Sequence, residues 1–242
     1  MIIEEITSQD FLEGLTKTKT VLIPIGATEG HGAHLPLGTD SFQAIDVCRR
    51  LAERRAVFVA PPILYGVCRS TAQHPGTLGI RTETLKNLLL DVIDSLYRHG
   101  ARNFVVLSGH AGGTHNATLI DAGEDLLETL PEARIAVVTE YALAAAEGRG
   151  LIETPDDSHA GEIETSRMLA TRPHLVKEGA REDYPRFPQH ILVRNKQHFW
   201  PSGVWGNPGK ASREKGQQIE EIVVNALDRL VTELEAFVEP EG

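Results

Sequence analysis

Between Gly26 and Asp40 the chain reads GATEGHGAHLPLGTD, and in that stretch stand Glu29, His31, His34 and Asp40. Carboxylates and imidazoles so close together are candidate ligands for a divalent metal ion. Glu29 and His31 are two residues apart, so from an extended backbone their side chains leave on the same side. Glycines at 26, 30, 32 and 38 let the backbone bend closely around an ion. One or two imidazoles mixed with carboxylates suit Zn, Mn or Fe, and suit Ca or Mg poorly. The competing reading is a polar loop leading into a helix near Ser41, with Asp40 as its N-cap.

Two more clusters carry the same residue types. The segment SGHAGGTHN, Ser108 to Asn116, places His110 beyond a short apolar run and among Gly109, Gly112 and Gly113. Alone, His110 would be ambiguous, and His115 reads as structural, on the first turn of a following helix. The segment DDSHAGEIETS, Asp156 to Ser166, collects His159, Glu162 and Glu164. His159 and Glu162 are three apart and would share a helix face, while Asp157 or Ser158 could serve as a cap. Together the clusters offer Glu29, His31, Asp40, His110 and Glu162 as five metal ligands, with His159 left over. Five exceed a simple catalytic zinc, which takes three and keeps one position open. They fit two metal ions sharing a bridging carboxylate, a centre that can activate water and polarise a carbonyl. A purely structural site would favour a closed, cysteine-rich shell. Here the two cysteines, Cys48 and Cys68, lack CxxC spacing and read as buried thiols of a reducing compartment.

Such loops need rigid elements behind them. Short β-branched runs at Val21–Ile25, Val57–Ala60, Phe104–Leu107 and Ile135–Val138 read as buried strands. Leu85, Leu88, Leu89, Val92, Ile93 and Leu96 keep a helical rhythm that ends at Gly100, a plausible C-cap. The same rhythm runs from Ile219 to Leu234. This alternation predicts an α/β fold with a mostly parallel sheet and helices on both faces. In such sheets functional groups gather beyond the carboxyl ends of the strands, which selects the loops after Ile25 and Leu107. With 242 residues and no repeat, linker or low-complexity tract, one domain over 1–242 is the simplest reading.

Composition narrows the function. A formal net charge of −10 and the lack of any Lys/Arg cluster argue against a nucleic-acid partner. The start MIIEEITSQDF has neither the positive residues nor the apolar run of a signal peptide. No stretch approaches the roughly 18 apolar residues of a membrane span. A cytoplasmic protein acting on a small molecule is expected.

At this point the chain resembles the creatininase, or creatinine amidohydrolase, family. GATEGHGAHLPLGTD resembles that family's ExHGxHLPxxTD signature, HPGTLGI its PGTxxL stretch, SGHAGG its NGHGGN-like loop and HAGEIETS its HxGxxETS segment. GVWGNPGKASREKG, from Gly203 to Gly216, is similar to the late GVxGDPxxAxxxxG segment. The resemblance implies a three-layer α/β/α sandwich, a two-metal centre and a homo-oligomer, often a cyclic hexamer. It makes Glu29 and His110 ligands of one metal, His31 a ligand of the other, Asp40 the bridge and His159 the proton carrier. In creatininase itself a glutamate ligand follows two residues after the histidine matching His110; here that position is Gly112, and Glu162 is the expected substitute. Creatininases also carry pocket tryptophans shortly before the histidine matching His159, and residues 141–158 contain none. The expected activity is hydrolysis of a C–N bond in a small cyclic amide or formamide by hydroxide activated between two metals. The alternatives are a peptidase of a cofactor-maturation pathway and a metal-containing binding protein without turnover. Trp200 and Trp205, in the Pro/Gly-rich WPSGVWGNPG, could line a pocket or a subunit contact.

Overall fold

The computed structural model of the protein describes residues 1–148 and 150–239. Four strands, β1 (Thr20–Ile25), β2 (Phe58–Val59), β3 (Asn103–Ser108) and β4 (Arg134–Thr139), form one sheet in the order β2-β1-β3-β4. Every neighbouring pair is parallel. Every residue of β1 and β3 is buried, which is why those segments read as continuous apolar runs rather than alternating ones. β2 is shorter than its β-branched pattern predicts. Pro61 and Pro62 follow after Ala60, and proline has no amide to continue a ladder.

Side chains leave the two central strands alternately, and each set meets its own helices. Val21, Ile23, Ile25, Phe104 and Val106 pack with Leu85, Leu89 and Ile93 of α3 (Thr82–Arg98) and Leu119, Ala122 and Leu126 of α4 (Gly113–Thr129). Leu22, Val105 and Leu107 pack on the other face. Their partners are Val47 and Leu51 of α2 (Thr39–Arg54), Ala144 of α5 (Glu140–Glu147) and Ile219, Val223, Leu227 and Val231 of α8 (Arg213–Ala236). Two apolar cores, one on each side of the sheet, are what a three-layer α/β/α sandwich requires. Each fully buried Leu or Ile contributes about 1.5–3 kcal/mol. Gly100, with φ +106°, ends α3: its amide reaches Tyr97 O and the Ala101 amide reaches Leu96 O, the paired bonds of a Schellman stop.

The register then positions the site. Ile25 lies opposite Ser108, so the loops after β1 and β3 leave the sheet side by side. The Gly109 amide donates to Ile25 O at 2.9 Å, and a Cβ at Gly109 would lie 2.1 Å from the Asp40 carbonyl oxygen. Glycine at this point therefore lets the first turn of α2 press against the end of β3. α6 (Glu162–Thr171) closes the same edge of the sheet, starting where Asp157 accepts hydrogen bonds from the Glu162 and Ile163 amides at 2.7 and 2.9 Å. Gly161 holds the N-cap position, and Asp157, one of the two capping residues anticipated there, satisfies the first two amides of α6 from four residues upstream.

Candidate metal centre

Asp40 sits in the first turn of α2, not at its cap; the cap position is Gly38 and has no side-chain bond. The carboxylate is free to point into the site. Its Oδ1 lies 2.9 Å from His31 Nε2 and its Oδ2 lies 3.1 Å from His110 Nδ1. His31 is oriented by its own loop, since Nδ1–H donates to the Glu29 carbonyl at 3.0 Å. That bond fixes the tautomer, in the manner of an outer hydrogen bond to a metal ligand. Nε2 then presents a lone pair to Asp40 Oδ1 and, at 3.6 Å, to Glu164 Oε2. Lone pairs facing each other across 2.9 Å repel unless a cation or a proton stands between them.

On the other side of Asp40, His110 Nδ1 is also 2.9 Å from Glu29 Oε2, while Thr71 Oγ1 donates to Glu29 Oε1. Two groups of ligand atoms result, each within 4.8 Å of one another: His31, Asp40 and Glu164, and Glu29, Cys68 and His110. Glu29, His31 and His159 form a third, overlapping group of the same kind. Glu29 Oε2, His31 Nε2, Asp40 Oδ2 and His110 Nε2 are buried with no hydrogen-bond partner among the described residues. Buried polar atoms are costly when unpaired, and a carboxylate–imidazole donor set fits divalent Zn, Mn or Fe. Glu29, Asp40 and Glu164 together nearly neutralise two such ions.

The electrostatics agree. Burial opposes a charge on His110, yet Glu29 and Asp40 outweigh it and push the imidazole up to about 10. Burial likewise opposes a charge on His31, but Asp40 and then Glu164 raise it well above its ordinary value. Burial by itself would raise both Glu29 and Glu164. The facing His110 instead holds Glu29 well below the carboxylate range, and His31 holds Glu164 down to about 2. Without metal, protons occupy positions that the donor set offers to cations. Burial, then Glu29 and Asp40, push the Cys68 thiol above its ordinary value, so it stays protonated in that state.

A cleft of about 330 Å³ opens onto this cluster. Glu29, Asp40, His110, His159 and Glu164 line its floor, Trp200 and Trp205 a wall, and Arg69 and Lys196 are among its other lining residues. His159 donates Nε2–H to the Gly30 carbonyl at 2.9 Å, which leaves Nδ1 as its proton-accepting atom. Its ring centroid lies 4.2 Å from that of His31 and 5.2 Å from that of Trp200. The tryptophans arrive from far along the chain. Backbone bonds pair His159 with Trp205 (3.1 and 2.7 Å), and Trp200 Nε1 donates to Val204 O at 2.7 Å.

Of the residues singled out in the sequence, Glu29, His31, Asp40, His110 and His159 meet in this site, and Glu162 does not. Both Glu162 oxygens face away: they accept from the Glu153 and Thr154 amides and from Lys215 Nζ. Glu162 therefore ties the preceding loop to α8, and the carboxylate that α6 offers the metal cluster is Glu164. The reason is register. Glu162 and Glu164 are two positions apart, about 200° around a helix, so only one can face β1's loop. Gly112 offers no ligand, and a side chain there would require the His110 ring to shift, since a Cβ would lie 2.5 Å from His110 Nε2. His34 lies apart from the ligand groups. It bonds Thr165 Oγ1 at 2.9 Å, and burial lowers it to about 4. His115 accepts from the Val67 amide at 3.1 Å and is lowered to about 3, chiefly by burial and then by His110. The sequence singled out no ligand in the segment holding Cys68; its single cysteine carried no spacing signal.

Residues 4–231 match the family described as creatinine amidohydrolase, Creatininase. A creatinine amidohydrolase of Pseudomonas putida is 31% identical over 88% of both chains. A mycofactocin precursor peptide peptidase of Mycolicibacterium smegmatis is 35% identical over 87% of this chain and 83% of its own. Among solved structures, a mutant creatininase of Zn-Zn type superimposes with a TM-score of 0.87 at 26% identity, over 96% of this chain and 98% of that one.

Proposed function

The chain belongs to the creatininase family, and from that premise we propose that it is a metal-dependent amidohydrolase in which Asp40 would be shared by two divalent ions. The observation that carries this reading is the position of Asp40, one oxygen facing His31 and the other His110. His31, Asp40 and Glu164 would hold one ion, and Glu29, Asp40 and His110 the other. When bound, such a pair supplies Lewis-acid polarisation of a carbonyl and a lowered pKa for an attacking water.

The chain's own residues do the rest. His159, fixed by Gly30, takes the proton of the attacking water at Nδ1 and returns it to the leaving nitrogen, as general base and then acid. Trp200 and Trp205 line the cleft, and their apolar rings would exclude water from a bound amide. The pocket tryptophans absent from 141–158 thus have counterparts supplied by a later segment. A cleft of about 330 Å³ lies at the small end of ligand sites and suits a cyclic amide or formamide. A second reading, cleavage near a peptide end, is favoured by Arg69 and Lys196 in the cleft wall, because either cation suits a terminal carboxylate.

Elemental analysis of protein purified without a chelating tag, beside Asp40→Ala, tests the centre. About two ions per chain, falling sharply in the variant, are expected; one or none, unchanged by the substitution, overturns the bridged site. Cyclic amides, formamides and short peptides are then assayed with and without metal. Tight binding of one of them with no product would instead identify a binding protein.

A further inference from the structure

We propose that Cys68 is a ligand of the ion on the Glu29–His110 side of the centre, coordinating through its sulfur as a thiolate. The inference rests on the two-metal reading above and adds a soft donor to a site otherwise built from carboxylate and imidazole.

The geometry starts from the ligand atoms. Cys68 Sγ, a carboxylate oxygen of Glu29 and an imidazole nitrogen of His110 lie within 4.8 Å of one another, and all three residues are buried. Ligand atoms around a tetrahedral ion, at bond lengths of about 2.0–2.3 Å, stand about 3.3–3.8 Å apart. Fitting the group around an ion therefore takes shifts of no more than about 1 Å. Glu29 is divided so as to allow it: Oε1 is held by Thr71, and buried Oε2 makes no hydrogen bond among the described residues. The thiol has little to lose, its one hydrogen bond among the described residues being a 3.7 Å contact with the Gly66 carbonyl.

The surroundings leave this position to sulfur. Position 112 is glycine, where a Cβ would lie 2.5 Å from His110 Nε2 unless that ring moved, so the loop after β3 gives His110 and nothing more. The segment carrying Cys68 is held against the site by His115, which takes the Val67 amide at 3.1 Å and packs edge-on to His110 at 4.8 Å between ring centroids. This gives buried His115 a positioning role. Coordination forms the sulfur–metal bond as the thiol proton leaves to solvent, with no change in oxidation state. A thiolate in the donor set favours Zn or Co over Mn.

The test uses the full-length protein loaded with Co(II) alone. A near-ultraviolet thiolate-to-cobalt charge-transfer band is expected in the unmodified chain and in Cys48→Ser. In Cys68→Ser the band disappears while the visible d–d bands of bound cobalt persist. Zinc affinity in Cys68→Ser is expected to fall by at least about tenfold, as for loss of even an outer partner of a metal site, with manganese affinity changing little. Bound cobalt without the charge-transfer band, or a band that survives Cys68→Ser, overturns the assignment and leaves the two-metal reading standing. Failure to bind cobalt at all sinks both. X-ray absorption on the zinc-loaded unmodified chain removes any dependence on variant folding. A sulfur shell at about 2.3 Å supports the proposal, and a shell of nitrogen and oxygen alone refutes it.

Discussion

Glu162 and Glu164 share the first turn of α6 but meet different partners, so their amide variants should part company. Glu164→Gln removes a carboxylate that faces His31 at 3.6 Å. It is expected to weaken divalent-metal affinity by more than about tenfold in a chelator competition, with little change in folding. Glu162→Gln should keep its metals and lose about 1–3 kcal/mol of stability in urea, because the loop amides of Glu153 and Thr154 and the Lys215 ammonium rely on it. Equal metal loss in both variants would contradict this division. His110 adds a pH dependence. Its folded value of about 10 lies above its ordinary 6.5, so its contribution to the metal-free fold is complete below 6.5 and is lost as pH rises through 10. A metal must displace that proton. Apparent zinc affinity should therefore climb with pH throughout the range below about 10, and a flat profile would rule out His110 as a ligand.

At the scale of elements, the site depends on a buried ionic junction beneath it. Arg167 on α6 donates to Glu220 on α8 at 2.6 Å, to Gln43 on α2 at 2.6 Å and to Glu140 on α5 at 3.0 and 3.1 Å. One guanidinium faces two carboxylates, and burial outweighs Arg167 so that Glu140 rises to about 7. The folded state then holds an extra proton between the ordinary 4.5 and 7, and stability falls as pH rises through that window. Glu140→Gln is expected to reduce the slope, leaving the part set by buried Asp157, raised to about 6, and to gain on the order of 1–3 kcal/mol near pH 7.5, since Glu220 still balances Arg167. Arg167→Met leaves both carboxylates unpaired and should cost about 3–5 kcal/mol. Urea unfolding across pH checks both, and a Glu140→Gln protein with an unchanged slope would exclude Glu140 as the titrating group.

For the whole molecule, the candidate metal centre joins pieces distant in sequence: the loops after β1 and β3, the first turn of α2 and the start of α6. Ions bound there stabilise only the folded chain. At a free concentration of 100 times the dissociation constant, linkage gives about 2.7 kcal/mol, an increase of about 5–10 °C in Tm for a chain of this size. Thermal unfolding with zinc and with chelator measures it. A Tm indifferent to both would mean that the cluster holds no ion.

The sheet was legible in the sequence because buried parallel strands need continuous apolar runs, and β1 and β3 supply them. The same runs pointed to the two loops beyond their ends. Glu29, His31, Asp40 and His110 were legible because each lies within a short stretch whose geometry the local backbone sets. What only the tertiary structure decided were contacts between distant segments. The rotation of α6 chose Glu164 over Glu162, which no local spacing could do because both positions lie on one turn. The His159–Trp205 bridge brought an aromatic wall from beyond residue 199 into the cleft. Packing of the 66–68 segment on His115 set a lone cysteine beside Glu29 and His110. Periodicity records which side of an element is apolar; which partner that side meets is decided when the layers close.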